Sequence, residues 1–137
     1  MTDEAEANRH RVRLAYAALA RGDEEGFYST FSPDVVMHEA ESLPYGGVYQ
    51  GIEGLKRGVA NMFAAWREMK YSVEEITAGG DLVFVYLHVR GTAPDTGESL
   101  VFPVAELWRF RNGQAIEFRP IYWDTHRALE VLRGKSD

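Results

Sequence analysis

The second half of the chain alternates apolar with other side chains at a period of two, and turn residues interrupt this alternation at three places. The pattern predicts four strands, at residues 70–78, 82–92, 99–111 and 114–123. The interruptions are Gly79-Gly80-Asp81, Pro94-Asp95-Thr96-Gly97 and Asn112-Gly113. An Asn-Gly pair between alternating segments is a strong hairpin signal, and short turns join antiparallel neighbours. The sequence therefore predicts a four-stranded antiparallel meander.

The strand predicted at 82–92 has apolar side chains on both of its faces. One face carries Leu82, Phe84, Tyr86 and His88, and the other carries Val83, Val85, Leu87 and Val89. A sheet that is apolar on both sides must be covered twice. The predicted helices are enough for one face only. We therefore expect a homodimer in which the open sheet faces of two copies pack together.

The first half of the chain predicts helices around one strand. Val12, Tyr16 and Leu19 recur at helical spacing, and Gly22-Asp23 ends this helix and begins a short second one that carries Phe27 and Phe31. Strand-like residues 35–39 and a loop at 42–51 follow. A long amphipathic helix then carries Ile52, Leu55, Val59, Met62, Phe63 and Trp66, and a final helix begins at Asp124. The 137 residues predict a single α+β domain, 1–137.

Composition and charge exclude several classes of function. With no Cys, thiolate catalysis and disulfides are excluded. The net charge of −6 argues against a nucleic-acid partner. The acidic N-terminus lacks the apolar stretch of a signal peptide, and no segment approaches the ~20 apolar residues of a membrane span. We expect a cytoplasmic protein without a membrane partner.

Glu106 is an acid inside the otherwise apolar segment 100–110. It shares one strand face with Phe102, Val104, Trp108 and Phe110. Burial among such side chains raises the pKa of a carboxyl group, and a neutral carboxylic acid can donate a hydrogen bond to a substrate oxygen. The alternative is a structural ion pair with Arg90, Arg109 or Arg119 across the sheet. Both interpretations remain open at this stage.

Four segments carry a family resemblance. They are YAALARGD at 16–23, FSPDVV at 31–36, GVYQGIEGL at 47–55 and LWRFRNG at 107–113. Together with the order of the predicted elements, they resemble the nuclear transport factor two-like superfamily, also called SnoaL-like or ketosteroid isomerase-like. The resemblance implies a cone-shaped α+β barrel, in which a curved antiparallel sheet wraps around the N-terminal helices and a long third helix.

The resemblance also implies roles for individual residues. Against the ketosteroid isomerases, Glu39 stands at the general base and Glu106 at the acid that holds the oxyanion. Both positions are Asp in that family, and its catalytic tyrosine position is Ala15 here, with Tyr16 adjacent and about 100° round the helix. Against the SnoaL-like cyclases, Asp124 stands at an acid that transfers protons. Asp124 is equally well placed to be a helix N-cap.

Other residues are candidates for the same pocket. His38 and Glu39 are adjacent on a strand, so they face opposite ways, and the resemblance to the ketosteroid isomerases implies that Glu39 is the inward one. A metal site formed by His38, Glu41 and His88 is a minor alternative, and no metal ion is expected. Tyr45 is expected at the mouth. Phe63 and Trp66 could form the wall, but aromatic residues at helical spacing are mostly core, and for Phe63 the core is the favoured alternative. Further predicted substrate contacts are Tyr86, His88, Phe102, Val104, Trp108 and Tyr122.

Together, these observations predict a cofactor-independent enzyme that transfers protons on a small apolar carbonyl compound, as an isomerase or cyclase. Glu39 or His38 would move the proton, while Glu106 and Tyr16 would stabilise the oxyanion. An alternative is a noncatalytic module that binds a small ligand or dimerises. A third possibility is activation of water by Asp124, in the style of the epoxide hydrolases.

Overall fold

The computed structural model describes residues 2–134, which form four helices and six strands. In chain order these are α1 (Asp3–Ala20), α2 (Glu24–Tyr28), β1 (Phe31–Glu39), β2 (Gly47–Gln50), α3 (Gly51–Ala65), β3 (Arg67–Gly79), β4 (Leu82–Thr92), β5 (Ser99–Arg111), β6 (Gln114–Tyr122) and α4 (Thr125–Arg133). The predicted α+β class and the predicted meander, β3 to β6, are confirmed.

The six strands form one curved, open sheet in the order β2-β1-β6-β5-β4-β3. All neighbouring strands are antiparallel except β1 and β6, which are parallel. The sheet is therefore mixed, and the expectation of a purely antiparallel sheet is wrong at this one pair. Register shifts within β3 and between β5 and β6 mark bulges, which increase the local twist and bend a sheet.

Two segments of the first half differ from the sequence prediction. Phe31 begins β1 rather than extending the second helix, because the proline at position 33 disfavours helical backbone at Ser32. Residues 47–50, predicted as loop, form the edge strand β2, in which Val48 pairs with His38. Gly51 has a φ of 74° at the junction of β2 and α3, a conformation that side chains disfavour.

The concave face of the sheet carries the core, and α1, α2 and α3 lie against this face. Val83, Val85, Leu87 and Val89 of β4 are all buried there. The helix α3 packs very closely on β1, since a Cβ atom at Gly58 would collide with the end of Met37. Helix α1 begins at an N-cap, where the Thr2 hydroxyl accepts the N–H of Ala5 at 3.1 Å.

The convex face of the sheet is apolar and exposed. Phe84 and Tyr86 of β4, Val101 of β5 and Ile121 of β6 are 37–55% exposed. Trp123, directly after β6, is 82% exposed. The described part of the chain, residues 2–134, provides no helix against these residues. Within the same residues, no helix combines the length and apolar character needed to cross a membrane.

Candidate functional site

A cavity of about 190 Å³ lies between the concave face and the helices α1, α2 and α3. Its wall is mostly apolar, with Leu87, Val89 and Val104 from the sheet and Val59 and Met62 from α3. Phe63 and Tyr71 lie at the mouth and are 52% and 38% exposed. Because most of the wall is apolar, the cavity has few polar side chains. The chemistry of these side chains determines which ligands or reactions the cavity supports.

Two carboxyl groups of the cavity lie in one row across three neighbouring strands. Glu106 on β5 pairs with Pro120 on β6. Met37 on β1 pairs with Phe118, and the same parallel register continued by two residues brings Glu39 beside Pro120. Strands are about 4.8 Å apart, so the two acids start from backbones about 10 Å apart and extend from the same face. Both line the cavity.

Glu106 is buried and is stabilised by two neutral donors. Its Oε1 atom accepts the hydroxyl proton of Tyr16 and the Nε1–H of Trp108, the latter at 3.2 Å. Burial raises the pKa of Glu106 to about 7, although the two hydrogen bonds oppose the shift by stabilising the carboxylate. Burial and the Glu106 charge also raise the pKa of Tyr16 well above its usual value. Tyr16 therefore remains protonated and acts as a donor.

The arginines considered as partners of Glu106 lie elsewhere, so the ion-pair alternative is wrong. Arg109 binds Glu117 and Asp81, at 3.2 and 3.3 Å, and Arg119 also binds Glu117. Arg90 is exposed.

Glu39 is also buried, but its surroundings differ from those of Glu106. Within residues 2–134 its Oε1 atom is a buried side-chain oxygen without a hydrogen-bond partner. Burial and, to a smaller extent, the Glu106 charge raise the pKa of Glu39 to about 8, while a backbone hydrogen bond at Ala40 opposes the shift. Because its two donors stabilise the carboxylate form, Glu106 ionises more readily than Glu39.

The sequence between residues 12 and 118 matches the family model of the SnoaL-like domain. This match covers most of the chain. The chain belongs to the SnoaL-like domain family. The resemblance inferred from the sequence is thereby confirmed. A comparison with functionally curated proteins found no match.

Several solved structures share the fold of this chain over almost its whole length. TerC, co-crystallised with polyporic acid, is 25% identical, with 93% of this chain and 99% of TerC covered at a TM-score of 0.83. An NTF2-like protein of unknown function from Burkholderia pseudomallei K96243 is 27% identical, with coverages of 93% and 98% and a TM-score of 0.83. A protein from Jannaschia sp. CCS1 described as a SnoaL-like polyketide cyclase is 19% identical, with coverages of 99% and 98% and the same TM-score. The last likeness concerns the fold alone.

The structure brings together a part of the predicted site of this SnoaL-like domain. Five predicted residues besides Glu106 line the cavity, namely Tyr16, Glu39, Phe63, Val104 and Tyr122. Trp108 lies behind Glu106, in the core, and touches it through the indole N–H. Tyr16 reaches Glu106 even though Ala15 occupies the position that the family comparison assigned to a tyrosine.

Three predicted aromatic residues form the wall behind the cavity instead of its surface. Tyr45 is only 1% exposed, since its hydroxyl accepts the Trp66 Nε1–H at 3.0 Å and lies 2.6 Å from the Tyr122 hydroxyl. Phe102 stacks on Tyr122 with ring centroids 5.4 Å apart. Tyr45 is therefore a buried support of Tyr122 and not a cap over the mouth, and neither Trp66 nor Phe102 lines the cavity.

The remaining candidates lie outside the cavity. Tyr86 and His88 are on the convex face, where His88 Nδ1 lies 3.1 Å from Glu74. His38 borders a separate shallow depression with Glu41, and Glu39 also contributes to the lining of this depression. Asp124 caps α4 by accepting the Arg127 N–H at 3.0 Å. The three residues considered as metal ligands therefore do not meet, and within residues 2–134 no group of three His, Cys, Asp or Glu is arranged to hold a metal ion.

Sequence reasoning missed several residues of the site. Met37, Met69, Tyr71 and Pro120 line the cavity. Met37 was detectable, because it lies two residues before Glu39 and therefore on the same strand face. Pro120 was a signal of another kind, since proline is rare inside a central strand.

Proposed function

We propose that this SnoaL-like domain is a cofactor-independent enzyme that moves a proton on a small apolar carbonyl compound. The observation that carries the proposal is the pair of buried carboxyl groups, Glu39 and Glu106, on one face of the cavity and in different hydrogen-bonding states. Environments that separate the pKa values of two acids provide an acid and a base at the same pH. The solved structure of TerC with polyporic acid supports a small-molecule ligand in this fold.

The hydrogen bonds favour Glu106 as the base and Glu39 as the acid, the reverse of the roles implied by the ketosteroid isomerases. Glu106 receives two donors, which stabilise its ionised form. Glu39 has a buried oxygen without a donor and therefore keeps its proton. In the proposed step the Glu106 carboxylate takes a proton from the carbon next to the carbonyl. The electron pair moves onto the carbonyl oxygen, to which the Glu39 carboxyl group donates.

With an unsaturated ketone the intermediate is a dienolate; the electron pair returns from the oxygen to re-form the carbonyl group, and Glu106 gives the proton to the γ-carbon, which completes an isomerisation. The cavity volume limits the substrate. An apolar cavity of about 150 Å³ is enough for benzene, so 190 Å³ fits a compound with one ring, or two if part of it extends past Phe63. A four-ring steroid exceeds this space.

The test is proton exchange in D₂O with one- and two-ring ketones and enones, followed by proton NMR. We expect enzyme-dependent loss of the signal of the α-proton, fastest between pH 7 and 8, where one acid is ionised and the other protonated. Glu106→Gln and Glu39→Gln should each lower the rate by about 100-fold or more. Glu41→Gln, which removes an acid outside the cavity, is the matched control. Unchanged exchange in both cavity variants would disprove the proposal.

A noncatalytic ligand-binding module is the second candidate function, favoured by the mostly apolar wall of the cavity. Under this alternative, ring compounds bind without any exchange in D₂O, and Glu106→Gln alters affinity alone. The same panel of compounds therefore separates the two functions, provided that binding is measured in parallel by calorimetry.

The partner we propose is a second copy of the chain, packed convex face to convex face. The supporting observation is the exposed apolar group of Phe84, Tyr86, Val101 and Ile121. Continuous exposed apolar patches of this kind commonly mark protein interfaces. Sedimentation analysis should give a dimer for the wild type and a monomer for Tyr86→Arg, while Leu14→Arg, an exposed apolar residue on α1, leaves the dimer intact. A monomeric wild type at micromolar concentration would contradict this proposal.

A further inference from the structure

The charged side chains that line the cavity, among the described residues, are all acidic. Of the residues that line it, Glu24, Glu39 and Glu106 are acidic, and none of those described is Lys, Arg or His. The ammonium group of Lys56 lies 5.4 Å from the centroid of the Tyr28 ring and 4.0 Å from Glu53. The interior therefore has negative or neutral groups only. An anionic ligand would be repelled, and a cationic one attracted.

Aromatic rings surround the same space. Seven of the lining residues are Tyr or Phe, contributed by α1, α2, α3, β3 and β6. The faces of such rings attract organic cations, and the attraction grows when the cation is removed from water. Apolar walls also favour the hydrocarbon part of a ligand. A cation with an apolar body satisfies both features of the wall.

The acids provide a specific acceptor for such a ligand. Oε1 of Glu106 already accepts from Tyr16 and Trp108, whereas Oε1 of Glu39 is buried without a partner among the described residues. A buried polar atom without a partner destabilises the protein, so this atom is a preferred position for a donor. A ligand N–H group directed at Glu39 would remove this destabilisation.

We propose that the cavity binds a protonated organic amine with an apolar body of about one ring, whose N–H group donates to Oε1 of Glu39. An ammonium group next to Glu39 would stabilise the carboxylate form of this acid, so that one positive charge lies beside one negative charge. This inference depends on the shape and charge of the cavity and not on the proton-transfer step. It gives the SnoaL-like domain a ligand class different from the carbonyl compounds proposed above.

The experiment compares four probes that share one phenyl ring, using calorimetry at pH 7.5. They are protonated N,N-dimethylbenzylamine, its neutral isostere isobutylbenzene, the quaternary benzyltrimethylammonium ion and the anion phenylacetate. We expect the amine to bind at least tenfold more tightly than isobutylbenzene, and the quaternary ion to bind more weakly than the amine because it lacks the N–H group. Phenylacetate should not bind at the same concentration. Equal affinity for the amine and isobutylbenzene in the wild type would overturn the proposal without any variant.

A variant then tests the acceptor. Glu39→Gln keeps the shape of the side chain but cannot become a carboxylate beside the ammonium group, so the affinity for the amine should fall at least tenfold while that for isobutylbenzene stays within twofold. Retained binding of isobutylbenzene also shows that the variant is folded. Glu41→Gln, beside the cavity but outside it, should leave both affinities unchanged. If Glu39→Gln binds the amine as tightly as the wild type does, the N–H group of the amine donates to an acceptor other than Glu39, and the proposal is refuted. Proton exchange on ketones is measured separately, so either proposal can fail alone.

Discussion

Tyr16 on α1 donates its hydroxyl proton to Oε1 of Glu106 on β5, which joins two residues that are 90 positions apart in the chain. The donor is itself buried and held protonated, because burial and the adjacent carboxylate both raise the pKa of Tyr16. Helix α1 thus sets the charge state of an acid in the sheet. The contact explains why Glu106 ionises more readily than Glu39 despite similar burial.

Removing this donor should raise the pKa of Glu106. In Tyr16→Phe the carboxylate loses one of its two donors, and a hydrogen bond to a charged group contributes about 1.5–3 kcal/mol, equivalent to a pKa rise of about 1 to 2. Carboxyl-carbon NMR titration measures the change from the present value of about 7. Tyr28→Phe, which removes a hydroxyl from another tyrosine of the cavity, is the control. A Glu106 pKa that stays the same or falls would show that the Tyr16 bond does not stabilise the carboxylate.

Glu39 should make the protein less stable as the pH rises. Its pKa is raised from 4.5 to about 8 in the folded state, so the folded protein holds a proton that the unfolded chain releases. The contribution is fully present below about pH 4.5 and is lost as the pH rises through about 8. Glu39→Gln should therefore change the free energy of unfolding little at pH 5 but increase it by roughly 3 to 5 kcal/mol at pH 8.5.

Urea unfolding of the wild type and Glu39→Gln at these two pH values measures the difference directly. Comparing the variant with the wild type at each pH cancels the contributions of the acids that do not interact with Glu39. Glu41→Gln should show no such dependence on pH. Equal effects of Glu39→Gln at pH 5 and 8.5 would mean that the carboxyl group is ionised without cost in the folded protein.

Tyr45 should contribute to stability through its hydroxyl group. This group links the indole N–H of Trp66 to the hydroxyl of Tyr122 in the interior. In Tyr45→Phe, the Trp66 N–H and the Tyr122 hydroxyl both lose their hydrogen bond to Tyr45. This loss should lower the free energy of unfolding by about 1–3 kcal/mol. Tyr71→Phe, at the exposed mouth, should change stability by less than about 0.5 kcal/mol in the same urea experiment. A Tyr45→Phe protein as stable as the wild type would imply that water replaces the hydroxyl.

Asp124 should affect the helix and not the chemistry. It caps α4, and Asn is as good an N-cap as Asp, whereas Ala costs about 1 kcal/mol. Urea unfolding should therefore show a loss for Asp124→Ala and little change for Asp124→Asn. Exchange of substrate protons in D₂O should be unaffected by Asp124→Asn. A large loss of exchange in this variant would return Asp124 to the catalytic candidates.

The sequence by itself determined the features that depend on local periodicity. Alternation at period two gave the four meander strands and the shared face of Glu106 and Trp108, because neighbouring side chains of a strand must point to opposite faces. The same local rule separated Glu39 from His38. Helical spacing gave α3, although it did not show that Trp66 packs behind the cavity wall.

Tertiary structure alone decided the features that depend on pairing between distant segments. The parallel register of β1 and β6 brings Glu39 into one row with Glu106, 67 positions later in the sequence, and no local pattern contains that register. Burial of Tyr45 likewise depends on Trp66 and Tyr122 being present together. Tyr86 and His88 were predicted in the pocket because period two defines two strand faces without indicating which one is concave. Only the packing of the helices against one face of the sheet makes that choice.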